Sequence, residues 1–218
     1  MATDNNEIDE YELLRDLILR EKVLPKERLV EAEYAERFGS NRSNIRKALK
    51  RLEQDGLVVC EPYKGAHVRR VTESEAVEMF EVRGALEVLL VRQAVERITY
   101  ADKKVLKSLV QEMRDTQKTK DPIVVVRASR KVREELWRIS GNATGTRLLA
   151  NLNTQLVRIW FRGIMMPGRS EALVEELSAA VDAVYAGSAA KAATAMRKYH
   201  DAAIANLKQA IDIMGVAN

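Results

Sequence analysis

Residues 39–59 read GSNRSNIRKALKRLEQDGLVV, and their reading decides how the first third of the chain folds. Ile45, Ala48, Leu49 and Leu52 recur at helical spacing as one apolar stripe, so residues 44–54 are expected to form a helix with Ser43 as N-cap. Arg42, Arg46, Lys47, Lys50 and Arg51 fill other positions of the same stretch, with no acid before Glu53. Asp55-Gly56 then breaks the pattern and a β-branched run follows. A helix face this basic is either simply solvated or lies against a polyanion.

The distribution of charge favours the polyanion. Residues 1–41 hold six Lys/Arg against eleven Asp/Glu, whereas residues 42–70 hold eight against three. The net charge of +4 is small, but a nucleic-acid footprint is a local patch and not a global balance.

The surrounding sequence supplies a frame for that patch. Leu13, Leu14, Leu17 and Ile18 predict an amphipathic helix over 10–21, ended by Val23-Leu24-Pro25. Tyr34, Ala35 and Phe38 predict a second helix over 31–38, with Gly39 as a left-handed cap. Two strands, 57–61 and 66–70, flank the turn Pro62-Tyr63-Lys64-Gly65. Three helices and a hairpin within about 70 residues are the plan of a winged helix-turn-helix.

From residue 72 onward the pattern is all helical. Segments are expected at 73–97, 101–117, 121–140, 142–164, 170–186 and 189–213, separated by Thr99-Tyr100-Ala101 and by breaks containing Gly, Pro or Ser. The tract Ile123-Val124-Val125-Val126 has local strand preference, but its neighbours favour a helix start. The expected fold is therefore mainly α: a winged helix-turn-helix over 1–71 and an all-helical ligand-binding bundle over 72–218.

Other classes find little support. The polar, acidic start MATDNNEIDEYELL lacks the basic and apolar regions of a signal peptide, and no window approaches 18 uninterrupted apolar residues. Cys60 is the single cysteine, which suits a reducing cytoplasm and is expected to be a small buried hydrophobe. Only His67 and His200 accompany it, and no paired His/carboxylate set, nucleophile motif or phosphate-cradling glycine loop suggests an enzyme. Trp137, Trp160 and Phe161 are expected in the core or at a dimer contact.

The first 70 residues resemble the DNA-binding domain of the GntR family of bacterial transcription regulators. The matching residues are Pro25, Glu27-Arg28-Leu29, Glu31, Ala35-Glu36, Gly39, Arg42, Arg46, Ala48-Leu49, Leu52-Glu53, Gly56-Leu57-Val58 and Lys64-Gly65-Ala66 with Val68. The remainder is similar to the FCD ligand-binding domain of the FadR-type subfamily, through Glu81-Val82-Arg83, Leu86-Glu87, Ser140-Gly141-Asn142 and Ala186-Gly187. Two departures stand out. Pro25-Lys26 replaces the family's Pro-Gly, which is expected to change the turn. Ser43-Asn44 and Lys47 replace the family's Thr-Pro and Glu, which points to a different operator sequence.

The resemblance implies a cytoplasmic homodimer on a palindromic operator in double-stranded DNA, acting as a repressor and not as an enzyme. Arg42 and Arg46 are four apart and suited to bridge guanine O6 and N7. Ser43, Asn44, Lys47 and Lys50 lie on the same helix, and Lys64 with Gly65 forms the wing.

Most FCD domains hold a metal with one Asp and three His. Aligned on the matched motifs, those positions become Ser129, Arg133, Leu177 and Tyr199 here, with His200 one residue off and turned about 100° away. No metal and no cofactor are therefore expected. A permanent guanidinium in a metal's place suits a small anionic organic effector, an organic acid or an acyl thioester, held by Arg83, Ser129, Arg133 and Tyr199. The alternative is an internal ion pair of Arg133 with Glu87 or Glu176.

Overall fold

The computed structural model describes residues 9–20, 22–119 and 121–215; the side chains of residues 157–163 and 214–215 lie outside that description, and with them the expectation for Trp160 and Phe161. The chain divides into two compact units, Met1–Thr72 and Glu73–Asn218. No helix among the described residues is long and apolar enough to cross a membrane.

In the first unit α1 (Glu10–Leu19), β1 (Arg28–Leu29), α2 (Glu31–Phe38) and α3 (Arg42–Gln54) precede the hairpin β2 (Val58–Glu61) and β3 (Gly65–Val68). The stripe of α3 behaves as its spacing requires: Ile45, Ala48, Leu49 and Leu52 are buried against Leu14, Ile18, Tyr34 and Ala35. The helix starts earlier than expected. Asn41, not Ser43, is the N-cap, its side-chain oxygen accepting from the Asn44 amide at 2.9 Å, so Ser43 is left exposed inside the first turn. Leu13 also departs from its expected stripe and is exposed, whereas Leu14 and Ile18 carry the burial of α1.

The hairpin is joined by a strand that the sequence does not announce. β1 pairs antiparallel with β3, Arg28 opposite His67, giving the order β1-β3-β2. Two residues are too short for alternation to show. The Pro25-Lys26 turn keeps the geometry a glycine would favour: Lys26 sits at φ 70 and donates its amide to Val68 at 2.8 Å. Cys60 is exposed and not buried, although its amide donates to Glu53 of α3 at 3.0 Å.

The second unit contains α4 (Glu73–Arg97), α5 (Tyr100–Thr116), α6 (Pro122–Ser140), α7 (Ala143–Ile164), α8 (Arg169–Tyr185) and α9 (Ala189–Gly215). Their ends follow local chemistry. Thr99 and Asp102 form a reciprocal capping box on α5, Asp121 caps α6 ahead of Pro122, and Gly141 closes α6 at φ 64. The valine-rich tract becomes the first turn of α6, and Val125 and Val126 are buried. Helix α9 packs most extensively on α4 and α8, with α7 also alongside it. Trp137 lies in a small cluster with Leu90 and Leu149.

Candidate functional site

Burial of the α3 stripe turns the rest of that helix outward. Arg42, Ser43, Arg46, Lys47 and Lys50 are exposed on it, while Asn44 is half-buried. Arg46 is already in a two-pronged contact: Nε and Nη2 donate to the two carboxylate oxygens of Glu31 at 2.8 and 2.6 Å. The Arg46 hydrogen bonds hold the Glu31 carboxyl below its usual range, and Arg42 adds to the effect. Asn44 is used internally, its Nδ2 donating to Glu10 Oε1 at 3.2 Å, and Ser40 Oγ donates to the same carboxylate oxygen. Arg51 lies over the Tyr11 ring at 4.0 Å and near Asp9, so it secures α1 to α3.

The wing tip carries Tyr63 and Lys64. Tyr63 is fully exposed, and Lys64 Nζ reaches Glu61 Oε2 at 2.6 Å. Gly65 sits at φ 82, and the Arg28 guanidinium lies 3.5 Å from where its Cβ would stand. Arg28 is a basic group at the base of the wing that sequence reasoning missed as part of this surface. Its signal was the pairing across β1 and β3, which no local pattern carries.

In the second unit the expected effector residues Arg83, Ser129, Arg133 and Tyr199 are all buried, contributed by α4, α6 and α9. Glu87, one turn beyond Arg83 on α4, joins them. Its Oε1 accepts from Arg83 Nε at 3.1 Å and from Arg133 Nη1 at 3.0 Å, while Oε2 lies 3.0 Å from His200 Nε2. Burial pushes the Glu87 carboxyl up, but Arg83 and His200 outweigh it and hold the group below its ordinary value. The internal pairing of Arg133 with Glu87 is thus present. Glu176 is engaged elsewhere, accepting from Arg169 Nη1 at 2.7 Å. Ser129 Oγ donates to the Val126 carbonyl at 2.9 Å.

His200 does not turn away as its position beside Tyr199 suggests. Since α9 is covered by helices on more than one side, consecutive residues both find buried neighbours. Gly84 permits the approach, because a Cβ there would stand 3.2 Å from the imidazole Cγ. Burial raises the Tyr199 phenol to about 12, and the ring meets that of His200 edge-on at 5.0 Å. Arg169 at the start of α8 completes the cluster, its guanidinium carbon 5.8 Å from the Tyr199 ring centroid. Sequence reasoning missed Arg169, His200 and Glu87 as one group; the seven-residue spacing of Arg169 and Glu176 along α8 was the available hint.

The donor set does not fit a metal. The four positions aligned with family ligands carry a hydroxyl, a guanidinium, an isobutyl group and a phenol, and the described residues contain no group of three His, Cys, Asp or Glu. His200 and Glu87 are the nearest approach, and two guanidinium groups already stand on Glu87.

A winged helix-turn-helix with an exposed basic α3, followed by a helical unit with a buried polar cluster, defines a two-unit DNA-binding regulator. The chain belongs to the FCD-domain branch of the GntR family: residues 10–68 match "Bacterial regulatory proteins, gntR family" and residues 78–202 match "FCD domain". It is 29% identical over 147 residues to the uncharacterized HTH-type transcriptional regulator YdhC of Bacillus subtilis, covering 66% of this chain and 64% of that protein. It is 29% identical over 89 residues to the HTH-type transcriptional repressor RspR of Escherichia coli, covering 41% and 39%. The matches thus span less than two thirds of these relatives' own length. The family and these relatives are transcriptional regulators and not enzymes. The fold is also that of E. coli McbR/YncC, at a TM-score of 0.75 and 20% identity over 92% of this chain and 95% of that one. A putative GntR regulator from Rhodococcus sp. RHA1 gives 0.68 at 20% identity over 91% and 95%.

Proposed function

We propose that this chain is a ligand-responsive transcriptional repressor of the cytoplasm that binds a palindromic operator in double-stranded DNA as a homodimer. The observation that carries the reading is the α3 surface, where Arg42, Arg46, Lys47 and Lys50 are exposed while the apolar side is fully packed. Arg42 and Arg46 read bases, Lys47 and Lys50 neutralise phosphates, and Lys64 with Gly65 follows the adjacent backbone. Ser43 at the exposed start of the helix touches the groove edge, and Asn44 sets the angle of entry. A dimer suits the exposed apolar stripe Val82, Ala85 and Leu89 on α4.

An anionic organic effector enters the second unit at the buried cluster whose walls include Arg83, Ser129, Arg133 and Tyr199. Its binding biases the spacing of two winged units through the short junction 70–74, which requires different affinity for the two arrangements. Selection of bound sequences from random duplexes, followed by anisotropy titration at fixed salt, tests the DNA reading. A palindromic consensus and loss of binding in Arg46→Ala support it; no sequence preference sinks it.

A second reading is favoured by the Glu87 contacts. Because Arg83 and Arg133 already share an internal carboxylate, the helical unit could serve assembly alone, with no effector. A thermal-shift screen separates the two: stabilisation by a small acid supports the first reading, and none across the panel supports the second.

A further inference from the structure

The wing carries a titratable group beside Lys64. On β3, Ala66 and Val68 are buried in the core of the winged unit, so His67 between them faces the other side of the sheet. The register sets His67 between Arg28 on β1 and Val59 on β2, with Glu61 diagonal to it on the same face. Glu61 thereby meets two nitrogen groups at once. Its Oε2 lies 2.6 Å from Lys64 Nζ, and its Oε1 lies 3.6 Å from His67 Nε2. The hydrogen bond from Lys64 holds the Glu61 carboxyl below its ordinary value, and a charged His67 adds to the effect. Arg28 contributes a permanent charge to the same face, its guanidinium lying beside Gly65.

The two contacts of Glu61 are not equivalent. The Lys64 side chain is 76% exposed at the end of a flexible stem, whereas that of His67 is 26% exposed and fixed on a paired strand. A phosphate arriving at the wing therefore draws off Lys64 and leaves His67 in place. Glu61 then loses its closest counter-charge while a polyanion stands nearby. Imidazole is the side chain whose charge ordinarily changes between about pH 5 and pH 8. A proton taken from solvent by His67 supplies the missing charge, pairing Glu61 again and adding a cation next to Arg28 and Lys64. Arg28 opposes that proton in the free and the bound chain alike, so it does not alter the sign.

We infer that the outer face of the wing is a proton-linked phosphate-binding site, where Lys64 passes from Glu61 to the DNA backbone and His67 takes up a proton in its place. This rests on the reading of the first unit as a DNA-binding domain, and adds Arg28, Glu61 and His67 to its surface. Linkage fixes the direction: the state that binds more protons is favoured as pH falls, so affinity for DNA rises on acidification through the imidazole range.

Anisotropy titration of the full chain at constant ionic strength tests it, with a random-sequence duplex at low salt and with a duplex recovered by selection. Affinity should rise about threefold to tenfold per winged unit from about pH 8 to about pH 6, within the limit set by one proton. In His67→Gln, checked for folding by circular dichroism, the rise should disappear, with affinity at the upper pH within about twofold of the parent. Glu61→Gln should bind more tightly than the parent at the upper pH and show a shallower rise, because Lys64 is already released. If His67→Gln fails to fold, the parent series and Glu61→Gln decide. The chain holds two histidines, so a full rise persisting in folded His67→Gln moves the proton elsewhere and overturns the site. Affinity that is flat with pH or falls on acidification, or an undiminished rise in Glu61→Gln, also overturns it and leaves the DNA reading intact. No DNA binding at any pH removes both.

Discussion

The two units of this molecule each carry arginine–glutamate contacts, in opposite settings. At the α3 surface Arg46 grips Glu31 with its side chain 63% exposed and that of Glu31 31% exposed. Inside the helical unit Arg83 and Arg133 meet Glu87 with side-chain exposures of 2% or less. Water screens the first pair, so Glu31 can be exchanged for a phosphate or a guanine edge at little cost. The second pair has no such freedom, since removing one member strands the other in a medium that cannot solvate it. Identical chemistry therefore makes an exchangeable contact in one unit and a fixed one in the other.

That contrast is broken most directly at Glu87. Glu87→Ala should cost about 3–5 kcal/mol of folding stability, measured by urea denaturation of the full chain, because three buried groups lose their common acceptor. A loss as small as that of a surface charge would mean that the cluster is not closed as described. The same carboxylate predicts a pH dependence. Its folded pKa lies below the ordinary 4.5, so its contribution is complete above about pH 4.5 and is lost as pH falls toward the lowered value. Thermal melts from pH 7 downward should show that decline, and Glu87→Gln should flatten it.

Arg46→Ala should leave stability nearly unchanged and weaken operator binding roughly fivefold to 150-fold per half-site at fixed salt, if the fork moves from Glu31 to a guanine. A stability loss with unchanged operator affinity would reverse the roles assigned to the two pairs. Lys26→Gly should stabilise the winged unit by about 0.5–1 kcal/mol, because a non-glycine residue there occupies the left-handed region at φ 70. The smallest effect is expected at Lys64, whose charge is exposed and held only by Glu61. Lys64→Ala should lower the slope of log affinity against log salt by about one, uniformly across DNA sequences.

Much of the fold was legible residue by residue. The stripe Ile45, Ala48, Leu49 and Leu52 located α3, and the break at Thr99-Tyr100-Ala101 together with the Gly, Pro and Ser breaks located every helix of the second unit to within about two residues. These signals are local: a helix reports itself over three or four turns, and its ends are set by adjacent residues. The less visible features lacked a local signal. Strand β1 is two residues long, and the cap at Asn41 in place of the expected Ser43 turns on one hydrogen bond. Cys60 was expected in the core because free cysteines are commonly buried, yet its exposure on β2 is set by packing that no local pattern carries.

The candidate sites divide in the same way. Arg42, Arg46, Lys47 and Lys50 could be placed on one exposed surface from spacing alone, because a packed stripe dictates what is left outside. Arg83, Ser129, Arg133 and Tyr199 were each named from the sequence, and Glu87 as one alternative partner of Arg133, but not as the carboxylate that also meets Arg83 and His200. The sequence by itself determined which helices form and which of their faces are basic, since both follow from residues within a few turns of one another. Only the tertiary structure decided that Glu87, His200 and Arg169 meet beside Tyr199, because that depends on three helices, α4, α8 and α9, packing at one point although Glu87 and His200 are 113 residues apart. Burial then gives those few contacts an energetic weight that no surface pair carries.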